Sequence, residues 1–377
     1  MCSGAVAARR NVPRCDGDVR YSRNTAGFRL IVRRPIVPAM KRTALDNLPL
    51  IDLTPFTAGG SAAQRQVTGQ ALRRACIDIG FFYLIGHGLA DAELDAALDW
   101  GRRFFALPLD DKLKLRLDRP QNRLGYTPVG GANPEYGATS DVKERFSATR
   151  EVIPGECEEG RFDAGQSQWP DRALPGFGEF FRAHIERRKV LAQQLVRAFA
   201  VSLDLPESHF DQAYRHPGCT LMFNYYPSLG AADQTRSSFS PHTDYGAFTL
   251  LLQDALGGLE VRNAAGDWID VPPVDGSFVV NVGDMFAMWT NDLYKSALHR
   301  VTNRSGAERI SIPMFTYPQG RTEITTLPTC IDAENPAKYP PVIAEDYNRM
   351  LVARANLTGR PGIAARTAER LQESGTP

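Results

Sequence analysis

The stretch His242-Thr243-Asp244 places a histidine and an aspartate two positions apart. On a β-strand, side chains at positions i and i+2 point to the same face, so we expect this pair to share one. The next histidine along the chain, His299, is 55 positions beyond Asp244 (299 − 244) and must come from a separate element. Two histidines and one carboxylate can hold Fe(II) on one side, leaving positions open for O2 and a co-substrate. The spacing therefore predicts a metal site on His242, Asp244 and His299; the alternative is a hydrogen-bonded His–Asp pair in a β-barrel.

Two further pairs with the same i, i+2 spacing flank this stretch. Arg309 and Ser311 open an apolar run that is typical of a strand, and they would place a guanidinium and a hydroxyl on one face. Such a pair suits a carboxylate, because arginine binds it as a planar, charge-assisted fork. Upstream, Asn224 and Tyr226 share a face of a second run, which ends at Pro227. The order of these pairs predicts a site that binds a metal and anchors an organic acid beside it.

The chain between Thr220 and Tyr317 consists of short apolar runs separated by turn residues. The predicted strands are Leu221–Tyr226, Ala247–Leu252, Gly258–Val261, Trp268–Val271, Ser277–Val282, Met285–Trp289 and Arg309–Tyr317. The segment 263–267, N-A-A-G-D, is typical of a hairpin loop. Many short strands at this spacing indicate a sandwich or a barrel.

The chain before residue 216 has a different pattern, in which helical periodicity dominates. The predicted elements, in chain order, are a helix from Ser61 that ends at Gly80, a strand over Phe81–Ile85, a helix capped by Asp91 and a long helix over about 177–203. Residues 118–176 are rich in Gly, Pro, Asn and Asp and are predicted to form long loops with short strands. We expect these helices to pack on the outside of the barrel, and a last helix near residues 343–355.

Several motifs carry a resemblance to a known family. They are N-Y-Y-P (224–227), H-T-D-Y-G (242–246), G-D-x-F-x-x-W-T-N (283–291), H-R-V-T-N (299–303) and R-I-S (309–311), in this order. With them the chain resembles the isopenicillin N synthase-like family of non-haem iron, 2-oxoglutarate-dependent oxygenases. L-P-L-I-D-L (48–53) and G-F-F-Y-L-I-G-H-G (80–88) resemble the N-terminal region of that family. The resemblance extends over most of the chain, from residue 46 to residue 355.

The resemblance implies a mainly β protein with flanking helices, whose core is a double-stranded β-helix of the jelly-roll type. The metal would be Fe(II), in the barrel mouth, and His242, Asp244 and His299 would be both its ligands and the catalytic residues. O2 and 2-oxoglutarate would be the co-substrates. The implied activity couples oxidative decarboxylation of 2-oxoglutarate to hydroxylation of a small organic substrate, with desaturation or ring closure as other outcomes.

The same resemblance assigns the second half of the site to 2-oxoglutarate. Arg309 and Ser311 would bind its far carboxylate, with Tyr226 and Asn224 assisting. An oxidase like isopenicillin N synthase uses the same triad without 2-oxoglutarate and holds its substrate's own carboxylate with the Arg/Ser pair. An ethylene-forming oxygenase breaks up 2-oxoglutarate itself. A non-catalytic metal- or carboxylate-binding module is a further alternative, against which the complete set of iron ligands argues.

The composition excludes several classes of function. A net charge of +1 leaves no basic surface of the kind that binds nucleic acid or acidic membranes. No apolar stretch approaches the roughly 20 residues of a membrane-spanning helix. The six cysteines have irregular spacing and no C-x-x-C motif, which favours free thiols in a reducing cytosol. We therefore expect a cytoplasmic protein, monomeric or weakly homo-oligomeric, that acts on a small molecule.

The two ends of the chain are expected to add little to the core. Residues 1–39 contain eight arginines and only two acidic residues, and we interpret them as a disordered basic leader or as the result of a start placed upstream of Met40. We further expect residues 40–215 to form a helical and loop region that packs on the barrel, and residues 216–320 to form the jelly-roll core. Residues 321–377 would be a C-terminal extension with a helix and a flexible end.

A few other residues are predicted to have structural roles. His87, between two glycines, is expected to be a hydrogen-bonded turn histidine, and Asp284 to belong to a tight turn. The charged run 141–144 is expected to be a solvated surface. Aromatic candidates for an apolar lining, of a kind that any barrel core also contains, are Phe146, Phe223, Tyr245, Trp289, Phe315 and Tyr317.

Overall fold

The computed structural model describes residues 47–116, 124–129, 142–150, 167–228, 238–303 and 305–358. The α-helices are α1 (Thr54–Thr57), α2 (Ala62–Asp78), α3 (Asp91–Phe105), α4 (Leu109–Leu113), α5 (Phe177–Ser202), α6 (Asp284–Trp289) and α7 (Ala344–Thr358). The β-strands are β1 (Leu50–Asp52), β2 (Phe81–Ile85), β3 (Gly125–Thr127), β4 (Glu144–Thr149), β5 (Gly218–Tyr226), β6 (Phe239–His242), β7 (Phe248–Gln253), β8 (Leu259–Arg262), β9 (Trp268–Asp270), β10 (Phe278–Val282), β11 (His299–Val301), β12 (Arg309–Tyr317), β13 (Glu323–Ile324) and β14 (Val342–Ile343). No helix in these ranges is long and apolar enough to cross a membrane.

Two sheets form the core of the fold. The major sheet has eight strands in the order β1-β2-β10-β7-β12-β5-β4-β3, and the minor sheet has four in the order β6-β11-β8-β9. Neighbouring strands are antiparallel, except that β1 and β2 are parallel and are connected through the 17-residue helix α2. A small third sheet pairs β13 with β14. The predicted mainly β fold with flanking helices, of the jelly-roll type, is confirmed.

Side chains alternate across the strands of the major sheet and define an outer and an inner face. On the outer face, Phe146, Phe223 and Ile310 belong to a large apolar cluster with α3 and α5. On the inner face, Tyr226 packs in a second cluster with Val261 of the minor sheet. One register holds throughout the pairing of β4 with β5 and of β5 with β12. The immediate neighbours of outer-face residues on these strands therefore lie on the inner face.

Helices α3 and α5 fix the strands from the outer face. Phe181 of α5 packs edge-on against Phe223, with ring centroids 4.6 Å apart. In α3, a Cβ added at Gly101 would lie 3.4 Å from Cγ2 of Ile310, so the helix backbone approaches β12 closely. These close contacts fix the position of β12, the strand from which Arg309 projects.

A buried arginine holds the two central strands of the major sheet together. Arg188 of α5 is fully buried, and it donates hydrogen bonds to Leu250 O in β7 and to Ile312 O in β12. Burial lowers the pKa of its guanidinium to about 9. The adjoining residue of β12 is Pro313, whose nitrogen cannot donate to a neighbouring strand. The guanidinium therefore supplies hydrogen bonds where the proline weakens the ladder.

Most of the predicted elements are confirmed, but one predicted strand is wrong. The helices expected from Ser61, over 177–203 and near 343–355 correspond to α2, α5 and α7. The run Met285–Trp289 forms α6 and is not a strand. Every residue of α6 is buried, so no polar position reveals the helical period, and Asp284 in its first turn favours a helix N-terminus.

One helix boundary differs from expectation, and the two domain boundaries stay untested. Asp91 is the first residue of α3, while Ala90 occupies the capping position without a side-chain hydrogen bond. The acidic side chain still favours this end of the helix through the helix dipole. Strands β1 to β4 of the major sheet come from before residue 216. The division of the chain at 215/216 and 320/321 stays a prediction, and the expected leader 1–39 lies outside the described residues.

Candidate active site

The two histidines lie on neighbouring strands of the minor sheet. His242 ends β6, His299 begins β11, and the register pairs them directly. Their ring centroids are 4.1 Å apart. Phe239 packs on His242 with centroids 4.0 Å apart, and Phe81 of the major sheet packs edge-on against His299. Strand pairing thus brings the distant histidine to the first one.

Asp244 reaches the histidines from a turn. Strand β6 ends at His242, so the expectation that His242 and Asp244 share a strand face is wrong. A backbone contact sets the turn: Asp284 N–H donates to Asp244 O at 2.8 Å, and a Cβ added at Gly283 would lie 3.0 Å from the same oxygen. The carboxylate Oδ1 lies 3.8 Å from His242 Nε2 and 3.7 Å from His299 Nε2. The three side chains meet although no single strand carries two of them.

Two side chains of the major sheet hold the other oxygen of this carboxylate. Asn281 Nδ2 in β10 donates to Asp244 Oδ2 at 2.7 Å, and Thr249 Oγ1 in β7 donates to the same atom. The register pairs Asn281 with Thr249, so both project from one row of the inner face. Neither residue was predicted from the sequence. The available signal was a lone asparagine in the otherwise apolar run Phe278–Val282.

The three side chains offer a donor set that fits Fe(II). One ligand atom from each lies within 4.8 Å of the others, and all three residues are buried. His242 Nδ1 is 2.8 Å from Ser240 O and His299 Nδ1 is 3.2 Å from Ala297 O, which leaves both Nε2 atoms for a metal. Burial holds the pKa of His242 well below its usual value, and the His299 ring lowers that pKa further. The imidazole is therefore neutral, the form that binds a metal. Two imidazoles and one carboxylate are a non-haem Fe(II) donor set.

The second half of the site forms where β12 pairs with β5. The register places Arg309 opposite Tyr226 and Ser311 opposite Asn224, so the two i, i+2 pairs meet. Arg309 is 1 % exposed, and its Cζ lies 4.9 Å from the Tyr226 ring centroid. Its Nε donates to Gly257 O, whereas its Nη1 is buried without a hydrogen-bond partner among the described residues. An unpartnered buried nitrogen of this kind is costly, and it fits a site for a ligand's carboxylate.

Two residues with expected structural roles support the backbone near the site. The N–H of Leu89 donates to His87 Nδ1 at 3.1 Å, and His87 Nε2 lies 3.0 Å from Gly276 O, which confirms a hydrogen-bonded turn histidine. The expectation that Asp284 belongs to a tight turn is wrong, because Asp284 is the first residue of α6; its carboxylate accepts a hydrogen bond from Thr243 Oγ1 at 3.2 Å. Burial raises the pKa of Asp284 to about 7.

Other sequence expectations around the site are wrong. Lys143 of the charged run 141–144 is only 5 % exposed, because it leads into β4 on the inner side of the sheet. Asp141 of the same run lies outside the described residues. Phe146 and Phe223 pack against α5 on the outer face, so they do not line the barrel interior. Phe315, which lies opposite Thr249, projects from the inner face.

Comparison with known proteins agrees with this geometry. Residues 217–318 match the family described as the 2OG-Fe(II) oxygenase superfamily, and residues 48–172 match the N-terminal region of non-haem dioxygenases in morphine synthesis. A 2-oxoglutarate-Fe(II) type oxidoreductase of Emericella nidulans is 35% identical over 309 residues, which are 80% of this chain and 88% of that protein.

Solved structures are similar over most of the chain. The structure of a full-length Neurospora crassa protein in complex with alpha-KG and thymine has a TM-score of 0.74 and 28% identity, covering 84% of this chain and 99% of that one. The structure of JOX2 in complex with 2OG, Fe and JA has a TM-score of 0.67 and 28% identity, covering 82% of this chain and 86% of that one.

Proposed function

The chain belongs to the 2-oxoglutarate–Fe(II) oxygenase superfamily, and from this premise we propose the role of each residue in its site. The protein is an enzyme that uses Fe(II), 2-oxoglutarate and O2. We assign His242, Asp244 and His299 to the iron. The meeting of these three buried side chains within 4.8 Å supports this assignment.

The chain's own residues position the reactants. Bound iron would activate O2, the oxidant, toward an unreactive C–H bond, and 2-oxoglutarate would supply two of the electrons as it is converted to succinate and CO2. His242, Asp244 and His299 would hold the metal and would leave coordination positions for other ligands. Asn281 and Thr249 hold Asp244 Oδ2 and so keep Oδ1 directed to the metal. Hydroxylation is the proposed outcome, with desaturation or ring closure as different fates of the same substrate position.

Arg309 and Ser311 bind the far carboxylate of 2-oxoglutarate in this proposal. The unpartnered Nη1 of Arg309 is the observation that carries it. Tyr226 packs on the guanidinium, and Asn224 lies opposite Ser311. Fixing the remote carboxylate sets the orientation of the co-substrate relative to the metal, which contributes to the rate by removing unproductive poses.

Anaerobic titration of the protein with Fe(II) and then 2-oxoglutarate tests these roles. We expect the visible charge-transfer band of a 2-oxo acid chelated to Fe(II). Arg309→Gln should raise the 2-oxoglutarate concentration at half-maximal absorbance about 10- to 150-fold, because hydrogen bonds to charged groups contribute roughly 1.5–3 kcal/mol. The matched control is Arg197→Gln, which removes an arginine paired with Asp211 at the surface of α5 and should leave the titration unchanged.

The titration also separates the rival functions. Equal 2-oxoglutarate dependence in Arg309→Gln and the unaltered protein would show that Arg309 binds something else, such as a substrate carboxylate in an oxidase. Iron binding without any band on adding 2-oxoglutarate would contradict the co-substrate assignment itself. Succinate release from a panel of small metabolites would then identify the primary substrate.

We also propose a small-molecule substrate, a cytoplasmic location and a monomeric or weakly homo-oligomeric state. A small substrate is in line with the thymine and JA complexes of the two similar structures. The cysteines in the described part of the chain, Cys76, Cys219 and Cys330, are buried free thiols, as expected in a reducing compartment. Light scattering of the purified protein and imaging of a fluorescent fusion would test the oligomeric state and the location.

A further inference from the structure

A further pair with i, i+2 spacing, Lys143 and Arg145, lies next to the proposed 2-oxoglutarate site. Arg145 of β4 is directly opposite Asn224 of β5, which is directly opposite Ser311 of β12. The three side chains form one row across adjacent strands of the inner face. Neighbouring strands are about 4.8 Å apart, so the Cα atoms of Arg145 and Ser311 are separated by about 10 Å. Arg145 thus lies two strands away from Ser311 and faces the same interior.

Lys143 places a second positive charge on this side of the sheet. Its Nζ lies 3.0 Å from the ring centroid of Phe239, and that ring packs on His242. Lys143 is 5 % exposed. The ammonium is therefore held in the barrel mouth close to the metal half of the site, where a low local dielectric strengthens its interaction with any anion.

Two buried polar atoms lie beside Lys143 and Arg145, which together form a cationic pair. Asn224 Oδ1 and Ser147 Oγ each lack a hydrogen-bond partner within the part of the chain that the structure describes. Asn224 is 4 % and Ser147 is 1 % exposed. Ser147 follows Arg145 by two positions, so both project from the inner face of β4. Buried polar atoms are almost always bonded, so each of these two atoms is available to a water, an ion or a ligand.

Two apolar side chains also project from this part of the inner face. Met222 lies opposite Ser147, and Phe315 lies opposite Thr249, the residue that bonds the Asp244 carboxylate. Between the metal and Arg145 the face thus offers an apolar stretch followed by polar and cationic groups. Such a surface suits an organic molecule with an apolar body and one charged end.

We infer that the primary substrate is a small organic acid, and that Arg145 binds its carboxylate. Lys143 adds positive charge, and Ser147 Oγ and Asn224 Oδ1 hydrogen-bond to polar groups of the same molecule. The apolar body then lies over Met222 and Phe315 and reaches toward the metal. This inference rests on the proposed function, since it places the substrate beside a 2-oxoglutarate already bound to Arg309.

Binding of matched charged and neutral probes tests this inference. The anaerobic protein is first saturated with Fe(II) and 2-oxoglutarate, so that Arg309 is occupied. Dissociation constants of benzoate, benzamide, acetate and acetamide are then measured from the broadening of their proton NMR lines by the paramagnetic iron. We expect at least one carboxylate to bind about 10-fold or more tightly than its amide, as a charge-assisted contact would give.

Variants of Arg145 and Lys143 show which residue causes the preference for a carboxylate over its amide. Arg145→Gln should reduce the carboxylate-to-amide ratio to about 1, Arg145→Lys should retain most of it, and Lys143→Gln should reduce it in part. Arg197→Gln at the surface of α5 is the matched control and should keep the full ratio. Circular dichroism of each variant verifies its fold, and the 2-oxoglutarate band should remain unchanged in Arg145→Gln.

The outcomes separate the two proposals. A normal 2-oxoglutarate band with equal binding of both carboxylates and their amides would overturn the inference and leave the proposed function intact. A carboxylate preference that survives Arg145→Gln would overturn the role of Arg145. Loss of the band in Arg145→Gln would assign this arginine to 2-oxoglutarate instead. Absence of the band in the unaltered protein would remove the proposed function, and the inference with it.

Discussion

The outer and inner faces of the major sheet are built from the same strands, yet their side chains differ in chemistry. On β4, Phe146 points outward and is fully buried among aromatic rings such as Phe104 and Phe177. Its neighbour Ser147 points inward and is almost as deeply buried, but its Oγ has no hydrogen-bond partner in the described parts of the chain. Burial of the Phe146 ring stabilises the fold, whereas burial of the Ser147 hydroxyl without a partner destabilises it.

The contrast continues on β5 and β12. Phe223 packs outward, whereas its neighbour Asn224 carries a buried Oδ1, and Arg309 a buried Nη1, that have no partner among the described residues. Arg188 on the outer face has an Nε that is likewise without a partner in the described ranges, but its other two nitrogens bond the carbonyls of Leu250 and Ile312. Burial of these outer-face side chains therefore stabilises the fold. The inner face retains hydrogen-bonding capacity that a ligand can use.

The largest effect should come from removing the carboxylate at the metal site. Asp244→Ala deletes one of the three ligands while leaving the outer-face packing untouched. Metal affinity and turnover should fall well beyond the roughly 100-fold cost of losing an outer hydrogen-bond partner. Equilibrium dialysis against Fe(II) and succinate release measure the two quantities. Asp270→Ala removes an exposed carboxylate of β9 and should change neither, so retained activity in Asp244→Ala would refute the ligand assignment.

The opposite result is expected on the outer face. Phe223→Ala leaves a cavity beneath α5, and large-to-small core substitutions of phenylalanine cost about 3–5 kcal/mol. The free energy of unfolding, measured with urea, should fall by this amount. The 2-oxoglutarate titration of the folded fraction should stay near that of the unaltered protein. A loss of co-substrate binding without loss of stability would show that the two faces are not separate in function.

The alternation of side chains between the two faces of a strand explains which parts of the site were predictable from the sequence. Arg309 with Ser311 and Asn224 with Tyr226 each lie on one strand, so their shared faces follow from spacing alone. The mutual pairing of these two strands does not, since register depends on contacts across the whole sheet. Arg145 was missed for the same reason, because only its pairing with Asn224 places it next to the site.

Turns and uniformly buried segments explain the rest. Asp244 lies beyond the end of β6, and its position depends on a backbone bond from Asp284, 40 residues further along the chain (284 − 244). The run Met285–Trp289 has no polar position, so its period could not distinguish helix from strand. Asn281 and Thr249 belong to apolar strands whose neighbours in the sheet become known only with the fold.

A smaller effect should follow from loosening the metal-binding carboxylate. Asn281→Ala removes one of the two donors to Asp244 Oδ2 but keeps all three proposed ligands. Loss of such a partner costs about 10- to 100-fold in metal affinity, which equilibrium dialysis against Fe(II) would measure. Thr249→Ser preserves the second donor's hydroxyl and should remain close to the unaltered protein. An affinity unchanged in Asn281→Ala would show that Thr249 alone orients the carboxylate.

The smallest effect, and the sharpest test of the comparison between faces, should come from two matched serine substitutions. Ser202 at the end of α5 is buried, bonds Phe199 O and contacts Tyr294 Oη at 2.7 Å, so Ser202→Ala should lower the free energy of unfolding by about 1 kcal/mol. Ser147→Ala removes a buried hydroxyl without a partner among the described residues, so it should leave that free energy unchanged or raise it by up to about 1 kcal/mol. Urea unfolding of both variants measures the difference. If Ser147→Ala is as destabilising as Ser202→Ala, the hydroxyl of Ser147 contributes to the fold and is not held for a ligand.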